Sequence, residues 1–302
     1  MMHSISDIKQ GVLKGDFLLL AKAISFIENN IEGTTGFLEA LVPAHIPIIG
    51  VTGPPGAGKS TLINALISTW VEQGKKVAVL SVDPSSPFHQ GAILGDRIRM
   101  KDWYLHAQVY IRSLAARGHL GGLNSAMLSL TTLMQSAGFD YIVVETVGVG
   151  QSEVEIASLA DTTVVVLVPE AGDEVQMMKS GLMEIAQVFV VNKSDRPDAE
   201  AFTNHLLHMI REGLGEQHMI PVIKTIATQQ LGIDELVAAI AAQQTNGLST
   251  TRKKQLLISK LYQIIAAHQM RSLNGPMIEA ELAIAMQQKH FNIFTFSRKY
   301  YK

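Results

Sequence analysis

The chain has 302 residues, 47% of them hydrophobic and 17% charged, with a net charge of −2 and no cysteine. That balance is enough for a large buried core and excludes a disordered chain, and it gives no electrostatic reason to expect nucleic acid or an anionic membrane as partner. Without cysteine there are no disulfides, no thiolate catalysis and no cysteine-ligated zinc or iron–sulfur site.

Residues 1–45 read as a helical extension, with Leu18, Ala21, Ala23, Ile24 and Ile27 as an apolar stripe. Asp7, Lys9 and Asp16 interrupt any signal-like character, and no run approaches the length of a bilayer span, so a soluble, cytoplasmic protein is expected. From residue 46 onward short apolar runs recur at 46–51, 77–82, 109–112, 141–145, 164–168, 188–191 and 222–224. Each leads into turn residues and then a helical pattern. Several are β-branched almost throughout, as parallel strands buried on both faces require. The alternation predicts an α/β domain over 46–245, built on a doubly wound, mostly parallel sheet whose ligands bind beyond the carboxyl ends of the strands. Next, 245–251 ("TNGLSTT") reads as a polar linker into a C-terminal helical extension, 246–302, with helices around 254–270 and 276–288. Met270 and Met277 read as core residues of those helices.

The first predicted strand runs into Gly53-Pro54-Pro55-Gly56-Ala57-Gly58-Lys59-Ser60, which fits G-x-x-x-x-G-K-[ST] at every fixed position. Pro54 and Pro55 have no N–H and only shape the turn. The phosphate donors must therefore come mainly from Gly56, Gly58, Lys59, Ser60 and Thr61, where the backbone, Ala57 included, curls around an anion at the positive end of the following helix. Lys59 reaches toward the β- and γ-phosphates, and the Ser60 hydroxyl is the Mg²⁺ ligand. The fold expected is thus of the P-loop NTPase type.

The run 188–191 leads into Asn192-Lys193-Ser194-Asp195. An ionised Asp195 can accept two hydrogen bonds, from guanine N1–H and the 2-amino group. Adenine has no such amino group, and its N1 would face the carboxylate with a lone pair. Asn192 can bridge base and P-loop, and the Lys193 stem can lie against the purine. Ala227, in "KTIAT", is placed to offer its backbone to guanine O6, although Ile226 stands where a polar residue is usual. The nucleotide is expected to be GTP.

Carboxylates mark further strand ends: Asp83 in "DPSSP", Asp96 in "GDRIRM" and Glu145 in "ETVG". Hard oxygen ligands of this kind suit Mg²⁺ beside Ser60. Turn capping is the structural alternative for Asp83, and pairing with Arg97 or Arg99 for Asp96. Gly148 lets the backbone approach the γ-phosphate. No glutamine directly follows it, the nearest being Gln151, so unaided hydrolysis is expected to be slow.

In this order "GPPGAGKST", "DPSSP", "GDRIRM", "RSLAARGHLGGL", "ETVGVGQSEVEI", "EAGDEVQMMKSG" and "NKSD" resemble the MeaB/ArgK family. Its members are P-loop GTPases that act as chaperones of cobalamin-dependent acyl-CoA mutases, chiefly methylmalonyl-CoA mutase. The resemblance implies phosphate and metal roles for Lys59 and Ser60, with Asp83, Asp96 and Glu145 as the Mg²⁺-sensing set. It implies that 169–179 is an additional switch, with Gly172 as hinge and Asp173, Glu174, Gln176 and Lys179 as its polar residues. It also implies a homodimer built by the C-terminal helices, although the ending "HFNIFTFSRKYYK" departs from the usual one. Competing readings are a nickel-delivering GTPase of the hydrogenase-maturation type, a kinase tied to amino-acid transport, and a regulatory nucleotide-binding module that does not turn over. Against the first, His205 and His208 read as a solvated helical face, and against the second stands the N-K-x-D motif.

Overall fold

The computed structural model describes residues 4–83, 85–86, 89–92, 100–115, 126–146, 155–170, 181–214, 220–246, 250–271, 273, 275–287 and 290–300. The strands are β1 (Ile48–Thr52), β2 (Val77–Asp83), a short antiparallel ladder of β3 (Ser85–Ser86) with β4 (His89–Ala92), β5 (Val109–Ala115), β6 (Tyr141–Glu145), β7 (Thr162–Leu167), β8 (Val188–Asn192) and β9 (Val222–Thr225). Seven of them form one sheet in the order β5-β2-β6-β1-β7-β8-β9. Every pairing within it is parallel. The expected doubly wound sheet is therefore present, and all seven apolar runs are in it. Boundaries differ where local chemistry dictates. β1 begins at Ile48 because Pro47 has no N–H to add to a ladder. β7 begins at Thr162, since Thr162 and Thr163 are as β-branched as the valines that follow.

Strand alternation divides the interior into two cores, one on each face of the sheet. On one face Ile49, Val51, Val79 and Val143 pack with α4 (Lys59–Glu72), through Leu62, Ile63, Leu66, Ile67 and Trp70. On the other, Ile48, Leu80, Ile142 and Val165 pack with Leu20, Ala23, Ile24 and Ile27 of an N-terminal helix. Burial of each such valine, leucine or isoleucine side chain contributes about 1.5–3 kcal/mol.

That N-terminal helix is α2 (Phe17–Glu28), flanked by α1 (Ile5–Leu13) and α3 (Thr34–Glu39). Asp16 caps it by accepting from the N–H groups of Leu18 and Leu19 at 2.9 and 3.0 Å. The buried stripe is Leu20, Ala23, Ile24 and Ile27, whereas Ala21 is only half-buried and Leu18 is exposed, about 200° round the helix from Leu20 on the opposite face. Further helices between strands are α5 (Met127–Gln135), α6 (Leu182–Ile185) and α7 (Ala199–Leu214), and α8 (Ile233–Asn246) follows the last strand.

The chain divides into two compact units, Met1–Lys253 and Lys254–Lys302, so the N-terminal helices belong with the sheet. The remaining helices are α9 (Thr250–Arg271), α10 (Gly275–Ala285) and α11 (Ile293–Ser297). α8 continues through Asn246 and α9 begins at Thr250, so both ends of the expected polar linker are helical. Met270 and Met277 are not core residues but 64% and 55% exposed, because a unit this small has little interior to offer. Among the described residues no helix is long and apolar enough to cross a membrane.

Candidate active site

The loop from Thr52 to Lys59 joins the central strand β1 to α4 and turns at three glycines of positive φ, Gly53, Gly56 and Gly58. At Gly53, φ is 141°, and an added Cβ would lie 2.1 Å from the Val166 carbonyl oxygen of β7. At Gly58, φ is 88°, and an added Cβ would lie 2.5 Å from the Asn192 side-chain nitrogen. Both positions need glycine, for backbone conformation and for the closeness of the next strand. Gly58 is the N-cap of α4, with no side-chain cap, and the Leu62 N–H donates to its carbonyl at 2.9 Å. The amides of Lys59, Ser60 and Thr61 thus head the helix as anion donors. Pro54 and Ala57 are buried, whereas Pro55 and Gly56 face outward.

Lys59 is only 7% exposed, and its ammonium donates to the carbonyls of Gly53 at 2.8 Å and Pro54 at 3.1 Å. Anionic phosphate oxygens would be stronger acceptors for this desolvated ammonium than the two carbonyls are. Beside it, the Ser60 hydroxyl donates to Glu145 Oε1 at 2.7 Å, and the Ser81 hydroxyl donates to Oε2 at 3.1 Å. Glu145 ends β6 and is 4% exposed. A serine oxygen and a buried carboxylate in contact at a strand end are hard oxygen donors, the set a Mg²⁺ ion takes. Next to them Thr146 donates to Thr52 across the ends of β6 and β1 at 2.9 Å, both buried.

The other wall is the turn after β8. Asn192 is 2% exposed and bridges three segments. Its side-chain nitrogen donates to the Ala57 carbonyl at 2.9 Å, and its oxygen accepts from the Thr225 hydroxyl at 3.1 Å and the Ala227 N–H at 3.3 Å. Lys193, with φ 55°, extends its ammonium to the Gly56 carbonyl at 2.8 Å. Asp195 is exposed, and Ala227, 6% exposed, opens the turn Ala227–Gln229. Ile226 pairs backbone to backbone with Leu231, so the apolar residue there closes a tight loop.

Of the remaining expected residues, Asp83 is described by its backbone alone, at the end of β2. Asp96, Gly148, Gly172, Asp173, Glu174, Gln176 and Lys179 lie outside the described residues. His205 and His208 are on the exposed face of α7, where His208 lies 3.3 Å from Glu212. Two features escaped sequence reasoning. Ser81 is a lone hydroxyl inside the apolar run "VAVLSV", a signal visible only once β2 is known to lie beside Glu145. Glu170, just past β7, pairs with Arg196 and lies 4.0 Å from Lys193, joining the base-side turn to the root of the segment 171–180.

An all-parallel, doubly wound sheet whose first strand–helix turn is a glycine-rich Lys-Ser loop, tied to a strand-end Asn-Lys-x-Asp turn, defines a P-loop nucleotide hydrolase. Residues 20–274 match the family model described as methylmalonyl Co-A mutase-associated GTPase MeaB. The chain belongs to that family and is a GTPase. A Pyrococcus horikoshii protein named as a GTPase is 38% identical over 295 residues, 94% of this chain and 93% of that one. The GTPase ArgK of Escherichia coli is 37% identical over 268 residues, 85% and 80% of the two chains. A crystal structure described as LAO/AO transport system kinase matches with a TM-score of 0.66 at 25% identity, covering 99% of this chain and 98% of that one.

Proposed function

We propose that this chain is a Mg²⁺-dependent GTPase that serves as chaperone to a cobalamin-dependent acyl-CoA mutase, methylmalonyl-CoA mutase first among them. It gates cofactor loading, or protects and reactivates the loaded enzyme. The observation that carries the nucleotide part is the Asn192 bridge to the Ala57 carbonyl, which joins the turn that would read the base to the phosphate loop. The family description, with its mutase association, supports the client.

In this reading Gly53 through Thr61 cradle the phosphates and Lys59 neutralises charge that grows on them during hydrolysis. Ser60 and Glu145, with Asp83 and Asp96, hold the metal, which supplies Lewis-acid stabilisation of the phosphoryl oxygens. Asp195 reads the guanine edge and Ala227 its O6. Gly148 and the segment carrying Gly172, Asp173, Glu174, Gln176 and Lys179 respond to the γ-phosphate. The protein acts in the cytoplasm as a homodimer. A nickel-delivery role has no family support of the kind the mutase has.

The test is GTP turnover with and without purified methylmalonyl-CoA mutase, together with mutase affinity in GDP and in a non-hydrolysable GTP analogue. Turnover should rise by about tenfold or more, as partner-assisted phosphoryl transfer does, and the two affinities should differ. No acceleration with equal affinities would remove this client.

A further inference from the structure

We infer that Ser81 is a positioning residue for the metal-dependent chemistry: its hydroxyl fixes the Glu145 carboxylate so that one oxygen is held toward Ser60. The inference rests on the proposed metal role of Ser60 and Glu145.

Four observations support it. Ser81 and Glu145 are register partners in the parallel β2–β6 ladder, so their side chains leave the sheet on the same face. That face is the one covered by α4, because Val79 and Val143, two residues back on each strand, pack in the α4 core. Ser81 is 2% exposed, the sole hydroxyl in a strand otherwise built of Val, Ala and Leu up to Asp83. Its bond to Oε2 and the Ser60 bond to Oε1 engage both carboxylate oxygens from opposite elements, a strand and a helix start.

The chemical consequence follows from hydroxyl geometry. A serine oxygen has two lone pairs besides its O–H. While Ser60 donates its proton to Oε1, those lone pairs turn away from the carboxylate and are free for a cation. A carboxylate that could rotate about its χ3 bond would not hold Ser60 in that orientation. Ser81 prevents the rotation by anchoring the second oxygen. Outer-sphere hydrogen bonds of this sort orient metal ligands, and their loss costs about 10–100-fold in metal affinity or activity.

The experiment uses the full-length protein with Ser81→Ala, Ser81→Thr and Glu145→Gln. The first readout is the Mg²⁺ concentration at half-effect on the release of a fluorescent GDP. The second is nucleotide affinity in EDTA, and the third is kcat for GTP. Ser81→Ala should raise the Mg²⁺ midpoint about tenfold and lower kcat by a similar factor, with affinity in EDTA unchanged. Ser81→Thr, which keeps the hydroxyl, should recover most of both. In the Glu145→Gln background, Ser81→Ala should add nothing to the midpoint. A folded Ser81→Ala protein with an unmoved midpoint overturns the inference, as does an equal loss of affinity in Mg²⁺ and in EDTA. If Glu145→Gln shifts the midpoint and Ser81→Ala does not, only the role of Ser81 falls. If Glu145→Gln leaves it unmoved, the metal role of Glu145 falls as well.

Discussion

Asp195 is an exposed carboxylate in the turn after a buried strand, three residues beyond the terminal Asn192, which is 2% exposed. The two residues divide the labour: Asn192 is consumed by the architecture, bonded to Ala57, Thr225 and Ala227. Asp195 stands outside that network, where a base can reach it. Replacing it should therefore change ligand choice without loosening the loop. Asp195→Asn should weaken GTP by about a hundredfold, since the amide NH₂ meets the guanine 2-amino group donor to donor and the remaining bond to N1–H loses its charge, hydrogen bonds to charged groups being worth about 1.5–3 kcal/mol. The amide can donate to the 2-oxo group of xanthine, so xanthosine triphosphate should become the better ligand. Calorimetric titration of the wild type and the variant with GTP, xanthosine triphosphate and ATP checks this. Equal wild-type affinity for ATP and GTP would refute the role of Asp195.

At the scale of elements, the seam between α2 and the edge strand β5 shows how the N-terminal helices are held. Phe17 meets Tyr110 edge-on at 5.3 Å and stacks on Phe139 at 6.0 Å, and Arg112 pairs with Glu28 at 3.0 Å. Burial pushes the Tyr110 phenol up from 10.0 to about 12, against a smaller opposing effect from Arg112. The phenol must stay neutral in the fold. Below pH 10 it is neutral in both states, and its contribution is complete. Above that, the unfolded chain ionises first and binds fewer protons than the fold, so stability declines as pH rises through about 12. The loss is on the order of 2 kcal/mol. Tyr110→Phe should flatten this part of the curve. Denaturant titrations at pH 9 and pH 11.5 measure it, and parallel curves for the two proteins would show that the phenol does not ionise on unfolding there.

For the whole molecule, the question is what covers α9. Leu257, Leu261 and Ile264 are 68%, 54% and 56% exposed and recur at the spacing of one helical face. An apolar row of this kind is the feature through which the proposed homodimer would be built. With a homodimer as the proposed state, Leu261→Glu should place like charges in the interface and yield monomers, while GTP turnover stays within about twofold, since the nucleotide site is built within residues 52–227. Light scattering coupled to size exclusion reads the outcome. A monomeric wild type at micromolar concentration would exclude the dimer.

The chain's own order of residues determined the elements and the loop chemistry. β-branched runs, prolines without an N–H, and glycines forced to positive φ act over a few residues, and the seven strands and the Gly53–Ser60 turn follow from them. Adjacency was decided only by the tertiary fold. Ser81 and Glu145 are 64 residues apart in the chain, and nothing local brings them together until β2 and β6 share a ladder. The same holds for Glu170 beside Arg196, and for the N-terminal helices, whose stripe could have packed on any apolar face. The exposed methionines of α9 and α10 show the limit from the other side. Hydrophobicity states what a side chain gains from burial, but whether a surface exists to bury it depends on the volume enclosed by the finished unit.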